Sequence, residues 1–208
     1  MSEENYPWLD LARRIQSIAQ AGLTFGTNEY DLERYRELRS ISAEIITAHS
    51  NLSENKLEWI LAQEEGYLTP KVDVRGVVFR DDRILLVRET IDGRWSLPGG
   101  WADVGLSPRE VVEKEVREES GLKVEAIRLL ALFDKKCHPH PPDLFYIYKF
   151  FFLCEERGGE LGTSLETSAA AFFALDKLPE LSLPRTLPSQ IDIMAEMRMD
   201  PGRPALFD

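Results

Sequence analysis

Apolar positions recur along this chain with two different periods, and the change of period falls near residue 66. Trp8, Leu11, Ile15 and Ile18 are spaced three or four apart, which predicts a helix ending near Gly22. A second, longer helix is expected to start at Asn28 to Tyr30 and to carry Leu32, Tyr35, Leu38, Ile41 and Ile45 along one face. A third, shorter one carries Leu57, Ile60 and Leu61. Residues 5 to about 66 thus read as helical, with charged residues on the remaining faces. Such stripes must be buried on one another, on the following domain or on a second chain. Trp8, Tyr30 and Tyr35 read as packing residues on ordinary burial preferences.

Gly66 to Lys71, containing Pro70, makes the boundary between residues 1–66 and 67–208. Beyond it, strands are expected at Val72–Phe79 and Ile84–Glu89, flanking a hairpin at Arg80–Arg83 that lacks the best turn residues. Further strands fall around Val124–Phe133, Phe145–Cys154 and Ala169–Ala174, and Leu187–Met199 reads as a last helix with Ile191, Met194 and Ala195 inward. Between the early and late strands lies a helix marked at both ends. Ser107, Pro108 and Glu110 supply a hydroxyl cap, a proline at the first helical position and a capping-box glutamate. Gly121 supplies the stop.

Composition narrows the picture. The 208 residues, 43% hydrophobic, suffice for one good core and a smaller appendage. Lys and Arg number 25 against 36 Asp and Glu, a formal charge of −11, so the chain is a poor general binder of nucleic acid or anionic membrane. An anionic substrate needs local positive charge or a metal. Cys137 and Cys154 sit in no metal-ligand spacing. With no signal peptide and no apolar run of transmembrane length in view, they are expected to be reduced thiols of a cytoplasmic protein.

The chemistry concentrates in the marked helix. Glu115, Glu118 and Glu119, three and four residues apart, share one arc of it. Two carboxylates about 5 Å apart repel by about 3 kcal/mol at an effective dielectric near 20, which invites a cation, and hard divalent ions prefer oxygen ligands. An ordinary solvated acidic face is the alternative. Two features favour the ion. The Pro98 to Gly100 turn puts unhindered backbone near the helix N-terminus. Val111, Val112 and Val116 also flank the acidic arc, whereas a merely solvating face lies opposite the apolar stripe.

Gly100 to Leu122 resembles the Nudix box, G-x5-E-x7-R-E-U-x-E-E-x-G-U, with U a bulky aliphatic. Gly100, Glu115, Val116, Glu118, Glu119, Gly121 and Leu122 match in register. Leu106 stands where the box has Glu and Lys114 where it has Arg; those two commonly pair in the family, so their joint loss looks like a coupled exchange. The resemblance implies an α/β fold, the Nudix α/β/α sandwich, here with a small N-terminal helical domain. It also implies a metal group of Gly100, Glu115, Glu118 and Glu119, binding Mg²⁺ or Mn²⁺. Glu166, six residues before Phe172, stands where the family often places an acidic residue on a loop over the metals. It is expected to join Glu118 and Glu119 as a catalytic residue, a solvent-facing loop glutamate being the alternative. Glu160 is a weaker candidate, because Gly158-Gly159 suggests a hairpin tip.

Substrate groups are sought elsewhere. The proline-restricted segment Phe133 to Asp143 holds His138 and His140 and suits a loop that hydrogen-bonds a phosphate or base. Zinc on Cys137, His138 and His140 is weakly supported without a fourth spaced ligand. Tyr146 and Tyr148, on alternating strand positions, either stack on a base or pack in the core. Arg75 and Arg88 interrupt apolar strands with no evident sequence partner, so either can clamp a diphosphate, Arg88 being favoured.

The resemblance therefore implies a pyrophosphohydrolase that cleaves a nucleoside diphosphate-X to a nucleoside monophosphate and phosphorylated X. The helical extension is similar to that of the Nudix subset containing CDP-choline pyrophosphatases, which favours CDP-choline, with ADP-ribose next and RNA ends as a secondary substrate. The same extension points to a homodimer. A non-catalytic Nudix-fold sensor or interaction module is the rival, and the retained Glu118 and Glu119 argue against it.

Overall fold

The computed structural model describes residues 7–50, 57 and 66–208, which fall into two compact units, Met1–Pro70 with Pro142–Tyr146, and Lys71–Pro141 with Ile147–Asp208. In the first unit, α1 (Pro7–Phe25) and α2 (Glu29–Ala48) pack together, and the Asn28 side chain caps α2 by accepting from the Tyr30 and Asp31 amides. The buried residues of α1 are Leu9, Ala12, Gln16, Ala19 and Gln20, not the expected bulky stripe. Small side chains explain the exchange. Ala12 and Ala43 let the two backbones approach, and the buried Ser42 hydroxyl donates to the Ala12 carbonyl at 2.8 Å. Leu11, Ile18 and Phe25 are left 52%, 59% and 68% exposed. Of the expected third helix, Leu57 is helical and buried, and Ile60 and Leu61 lie outside the described residues.

In the second unit, β1 (Lys71–Arg80) serves three neighbours. It runs parallel to β6 (Ile147–Gly159) from Lys71 to Val78, and antiparallel to β4 (Gly99–Trp101) at Asp73–Arg75. Only its last residues, Phe79 and Arg80, pair with β2 (Arg83–Glu89). The remaining strands are β3 (Trp95–Ser96), β5 (Leu122–Asp134), β7 (Thr167–Ala174) and β8 (Leu206–Phe207). The mixed sheet has the order β3-β2-β1-β6-β5-β8, with β4 on β1 and β7 on β2. Asp81 closes the β1–β2 turn at φ 55°, a left-handed conformation that Asp tolerates better than most residues.

Alternation along the strands divides the core in two. Val74, Val78 and Leu85 meet Val111, Val112 and Val116 of α3 (Pro108–Ser120) on one face. Val77, Ile84, Leu86 and Phe151 meet Ile191, Met194 and Met197 of α4 (Pro188–Met199) on the other. This is the α/β/α sandwich that the resemblance implies. Met197, rather than Ala195, completes the inward face of α4. Two strand expectations are corrected. Phe145 and Tyr146 precede β6 and belong to the segment that clusters with the helices. Gly158 and Gly159 are no hairpin tip; at φ 133° and 90° they extend β6 against Lys123 and Leu122.

Close approach of α3 to the sheet depends on Gly76. A Cβ there would meet Val116 Cγ2 at 2.4 Å and Val112 Cγ2 at 3.2 Å. Gly76→Ala should therefore cost about 1–3 kcal/mol through overpacking, read as a lowered midpoint in urea unfolding. An unchanged midpoint would show that α3 tolerates displacement from β1.

Candidate active site

Helix α3 carries the acidic arc, and its ends form as its sequence dictates. The Ser107 hydroxyl accepts from the Glu110 amide at 3.3 Å, while the Glu110 carboxylate accepts from the Ser107 amide at 2.8 Å. Gly121 closes the helix in the left-handed region at φ 79°. Glu115, Glu118 and Glu119 then present three different environments. Glu119 is buried, and its Oε2 accepts from the Gly99 amide at 2.7 Å. Glycine is needed at that point: φ is 139°, and a Cβ would meet the Val74 carbonyl oxygen at 2.0 Å. Burial pushes the Glu119 carboxyl up to about 7, against the opposing pull of Arg75 and the Gly99 amide. Glu115, half-buried, faces the open Cα of Gly100, where a Cβ would stand 3.2 Å from Glu115 Oε2. Its carboxyl is raised by burial, then by Glu118 and Glu166, with Lys114 opposing. Glu118 is the most exposed of the three.

Lys114 is the cation drawn into this arc. Its Nζ lies 3.1 Å from Glu115 Oε1, 3.3 Å from Glu118 Oε2 and 3.1 Å from Asp103 Oδ2. Asp103 belongs to the loop between β4 and α3, so Lys114 also ties that loop to the helix. Glu166 is exposed on a loop pinned at both sides of it. The Thr90 amide donates to the Glu166 carbonyl at 2.8 Å, and the Thr167 hydroxyl donates to the Glu119 carbonyl at 2.7 Å. The Glu166 charge adds to the upward push on the Glu115 carboxyl. Among the described residues, no three His, Cys, Asp or Glu side chains are gathered closely enough to hold a metal ion as they stand. One oxygen of Glu119 is engaged by backbone, and Glu115 and Glu118 are engaged by Lys114.

A buried charge network lies on the other side of β1. Asp73 is clasped by Arg75, whose Nη2 donates to Oδ1 at 2.7 Å, and by Lys149 of β6. Arg75 Nη1 also donates to the Leu97 carbonyl at 3.0 Å, bracing the Leu97–Gly99 segment from below. Burial alone would raise the Asp73 carboxyl, but Arg75 and Lys149 overcome it and hold Asp73 well below the usual range. Burial lowers Lys149 to about 8 despite Asp73. Arg75 is therefore no partnerless strand arginine. Its partner stands two residues earlier, on the same side of the strand.

The other expected substrate residues are dispersed. Arg88 is exposed, with Nε donating to the Gly93 carbonyl at 2.8 Å. His138 Nε2 meets Asp208 at 3.1 Å. His140 Nδ1 donates to the Leu183 carbonyl at 2.7 Å, while Nε2 accepts from the Gln190 amide at 3.0 Å. Neither histidine bonds to an α3 carboxylate. Tyr146 belongs to the first unit, under the Arg13 guanidinium at 5.9 Å from the ring centroid.

Three residues escaped sequence reading. Asp103 has no place in the box. Glu89 is buried where β2 shifts register against β7, and its Oε1 accepts from the Ser96 hydroxyl at 2.6 Å. Arg185 Nε reaches the same Glu89 oxygen at 3.1 Å. The available signal was a charged residue ending an apolar strand, Glu89 after ILLVR.

Residues 69–196 match the NUDIX domain model, and residues 6–61 match the UDP-X-like, N-terminal oligomerisation domain. The chain belongs to the Nudix hydrolase family. It is 47% identical over 201 residues to the Bacillus subtilis strain 168 protein named "Putative ADP-ribose pyrophosphatase YjhB", covering 97% of each chain. The crystal structure of a UDP-X diphosphatase is 34% identical, with a TM-score of 0.64 and coverage of 97% and 98%. That of an ADP-ribose pyrophosphatase from Streptococcus suis 89-1591 is 41% identical, with a TM-score of 0.60, covering 67% of this chain and all of its own. The family assignment makes the chain a Nudix pyrophosphohydrolase.

His140 gives a pH test apart from the carboxylates. Burial lowers it from 6.5 to about 3, so the folded state keeps it neutral. The stability that this group contributes is full above about pH 6.5 and declines as pH falls towards 3, because the unfolded chain takes up the proton first. The stability advantage of wild type over His140→Asn should shrink by about 2–3 kcal/mol between pH 7 and pH 4.5 in urea melts. A constant difference would refute the neutral, buried assignment.

Proposed function

We propose that this protein is a divalent-metal-dependent hydrolase of nucleoside diphosphate-X compounds, releasing a nucleoside monophosphate and phosphorylated X. The observation that carries the reading is the bridging of Glu115 and Glu118 by the Lys114 ammonium, with the buried Glu119 on the same arc of α3. The donor set fits a hard divalent ion: carboxylate oxygens, one of them half-buried against unobstructed Gly100 backbone. Glu115, Glu118 and Glu119, with Gly100, would hold it. Mg²⁺ or Mn²⁺ bound there supplies neutralisation of diphosphate oxygens and acidification of water. Glu119 is kept in orientation by the Gly99 amide, itself on a segment braced by Arg75. Glu166, on its pinned loop, accepts the proton of the attacking water. Arg88, exposed at the end of β2, meets a phosphate oxygen of the substrate.

The names of the relatives support ADP-ribose and UDP-linked substrates, and CDP-choline stays in the panel on the strength of the helical extension. The chain is read as a helical domain over residues 1–66 and a hydrolase domain over 67–208, working in the cytoplasm. Leu11, Ile18 and Phe25 recur every seven residues on the exposed face of α1, which supports a homodimer formed through that face.

Turnover of ADP-ribose, UDP-sugars, CDP-choline and a 5′-capped RNA, each with Mg²⁺ or Mn²⁺, tests the substrate class. Glu118→Gln and Glu119→Gln should lower turnover by about a hundredfold or more while the fold is retained. Glu166→Gln should lower kcat by about a hundredfold with little change in KM; a loss below about threefold would make it a bystander. For the assembly, Leu11→Glu combined with Ile18→Glu should convert a dimeric light-scattering mass to a monomeric one. An unchanged mass would move the interface off this face.

A further inference from the structure

The Lys114–Asp103 pair has no counterpart in the family box, whose glutamate and arginine are replaced here by Leu106 and Lys114. The Lys114 ammonium is equidistant from the loop carboxylate of Asp103 and from Glu115, at 3.1 Å, and stands 3.3 Å from Glu118. Its side chain is 31% exposed, and that of Asp103 is 54% exposed. The ammonium thus stands between two sets of anions at the surface. One set lies on the helix arc and the other on the loop in front of it.

We propose that Lys114 is a positioning residue acting as an exchangeable counter-ion: it neutralises Glu115 and Glu118 in the metal-free protein, and withdraws onto Asp103 when a divalent ion takes those carboxylates. The proposal rests on the reading that Glu115, Glu118 and Glu119 hold the metal. Asp103, three residues before the position of the box glutamate, is then the anchor that makes withdrawal favourable. A fixed Arg–Glu pair braces the loop. The Lys–Asp pair couples the brace to occupancy of the site.

Opposite effects on metal binding follow from removing the two partners. Without Lys114 the ion meets no competing cation, and repulsion between ammonium and metal is gone. Without Asp103 the ammonium has nowhere to go but the arc. A pair that merely holds the loop would weaken metal binding on loss of either partner.

The test is Mn²⁺ affinity of the full-length protein without substrate, from the electron paramagnetic resonance signal of free Mn²⁺ titrated into the millimolar range. Wild type, Lys114→Met, Lys114→Arg, Asp103→Asn and Glu118→Gln are compared. Lys114→Met should tighten Mn²⁺ by roughly tenfold, the size expected for removing one charge about 5 Å from a dication in water, and Asp103→Asn should loosen it several-fold. Lys114→Arg, which keeps the charge, should stay near wild type. Asp103→Asn, on an exposed loop, keeps the test decisive should Lys114→Met fail to fold. Loss of affinity in both variants, or no change in both, overturns the exchange while leaving the metal site intact if Glu118→Gln still weakens binding. Mn²⁺ binding that is absent in wild type, or indifferent to Glu118→Gln, overturns the metal-site reading and the exchange together.

Discussion

Asp73 is an ionised carboxylate with almost no access to water, and the sheet is arranged so that it need not have any. Arg75 reaches it from two residues along the same strand, and Lys149 reaches it from the register position beside it on β6. Losing either cation would leave an uncompensated buried charge, the situation that costs most in protein interiors. The same guanidinium that satisfies Asp73 also donates to the Leu97 carbonyl. Two residues later the Gly99 amide holds Glu119. A network inside the fold thus sets the height of the turn on which the acidic helix depends. The acidic arc of α3 thus takes its position from an ion cluster buried on the opposite face of β1.

Local rules made much of this legible in the sequence. The capping box at Ser107, the stop at Gly121 and the three-four spacing of the glutamates describe α3 without reference to anything distant, and α3 forms as described. The strands from Val72 to Glu89 follow from alternation in the same way. What could not be read is whatever depends on which strands become neighbours. Lys149 belongs with Asp73 only because β6 lies parallel to β1 in one register. His138 and His140 look like free chemistry in a proline-rich loop, yet the fold spends them on Asp208, Leu183 and Gln190. The α1 stripe misled for a related reason. Periodicity locates the apolar residues, but the small residues Ala12 and Ala19 decide which face comes close to a neighbouring helix.

Departures from the box are instructive in the same terms. Leu106 and Lys114 together remove one ion pair, and Asp103 shows that the loop and helix remain tied by another, displaced by three residues. The cationic end keeps its position on the helix, and the carboxylate end has moved within the loop. Because the lysine touches two carboxylates of the arc as well, the tie and the arc share a charge that a guanidinium held by its own glutamate would keep to itself.

The short stretch Pro142–Tyr146 clusters with the helices although it is threaded into the hydrolase half of the chain. Arg13 donates to the carbonyls of Asp143, Leu144 and Phe145, so the helical unit is built from two pieces of sequence. Moving such a unit as a cassette would therefore break contacts on both sides. Cutting the gene at the helix–sheet junction would leave three carbonyls without their donor, and splicing the helices onto another hydrolase would leave Arg13 without its acceptors. The extension and the loop before β6, far apart in sequence, are thus bound into one structural unit by a single guanidinium.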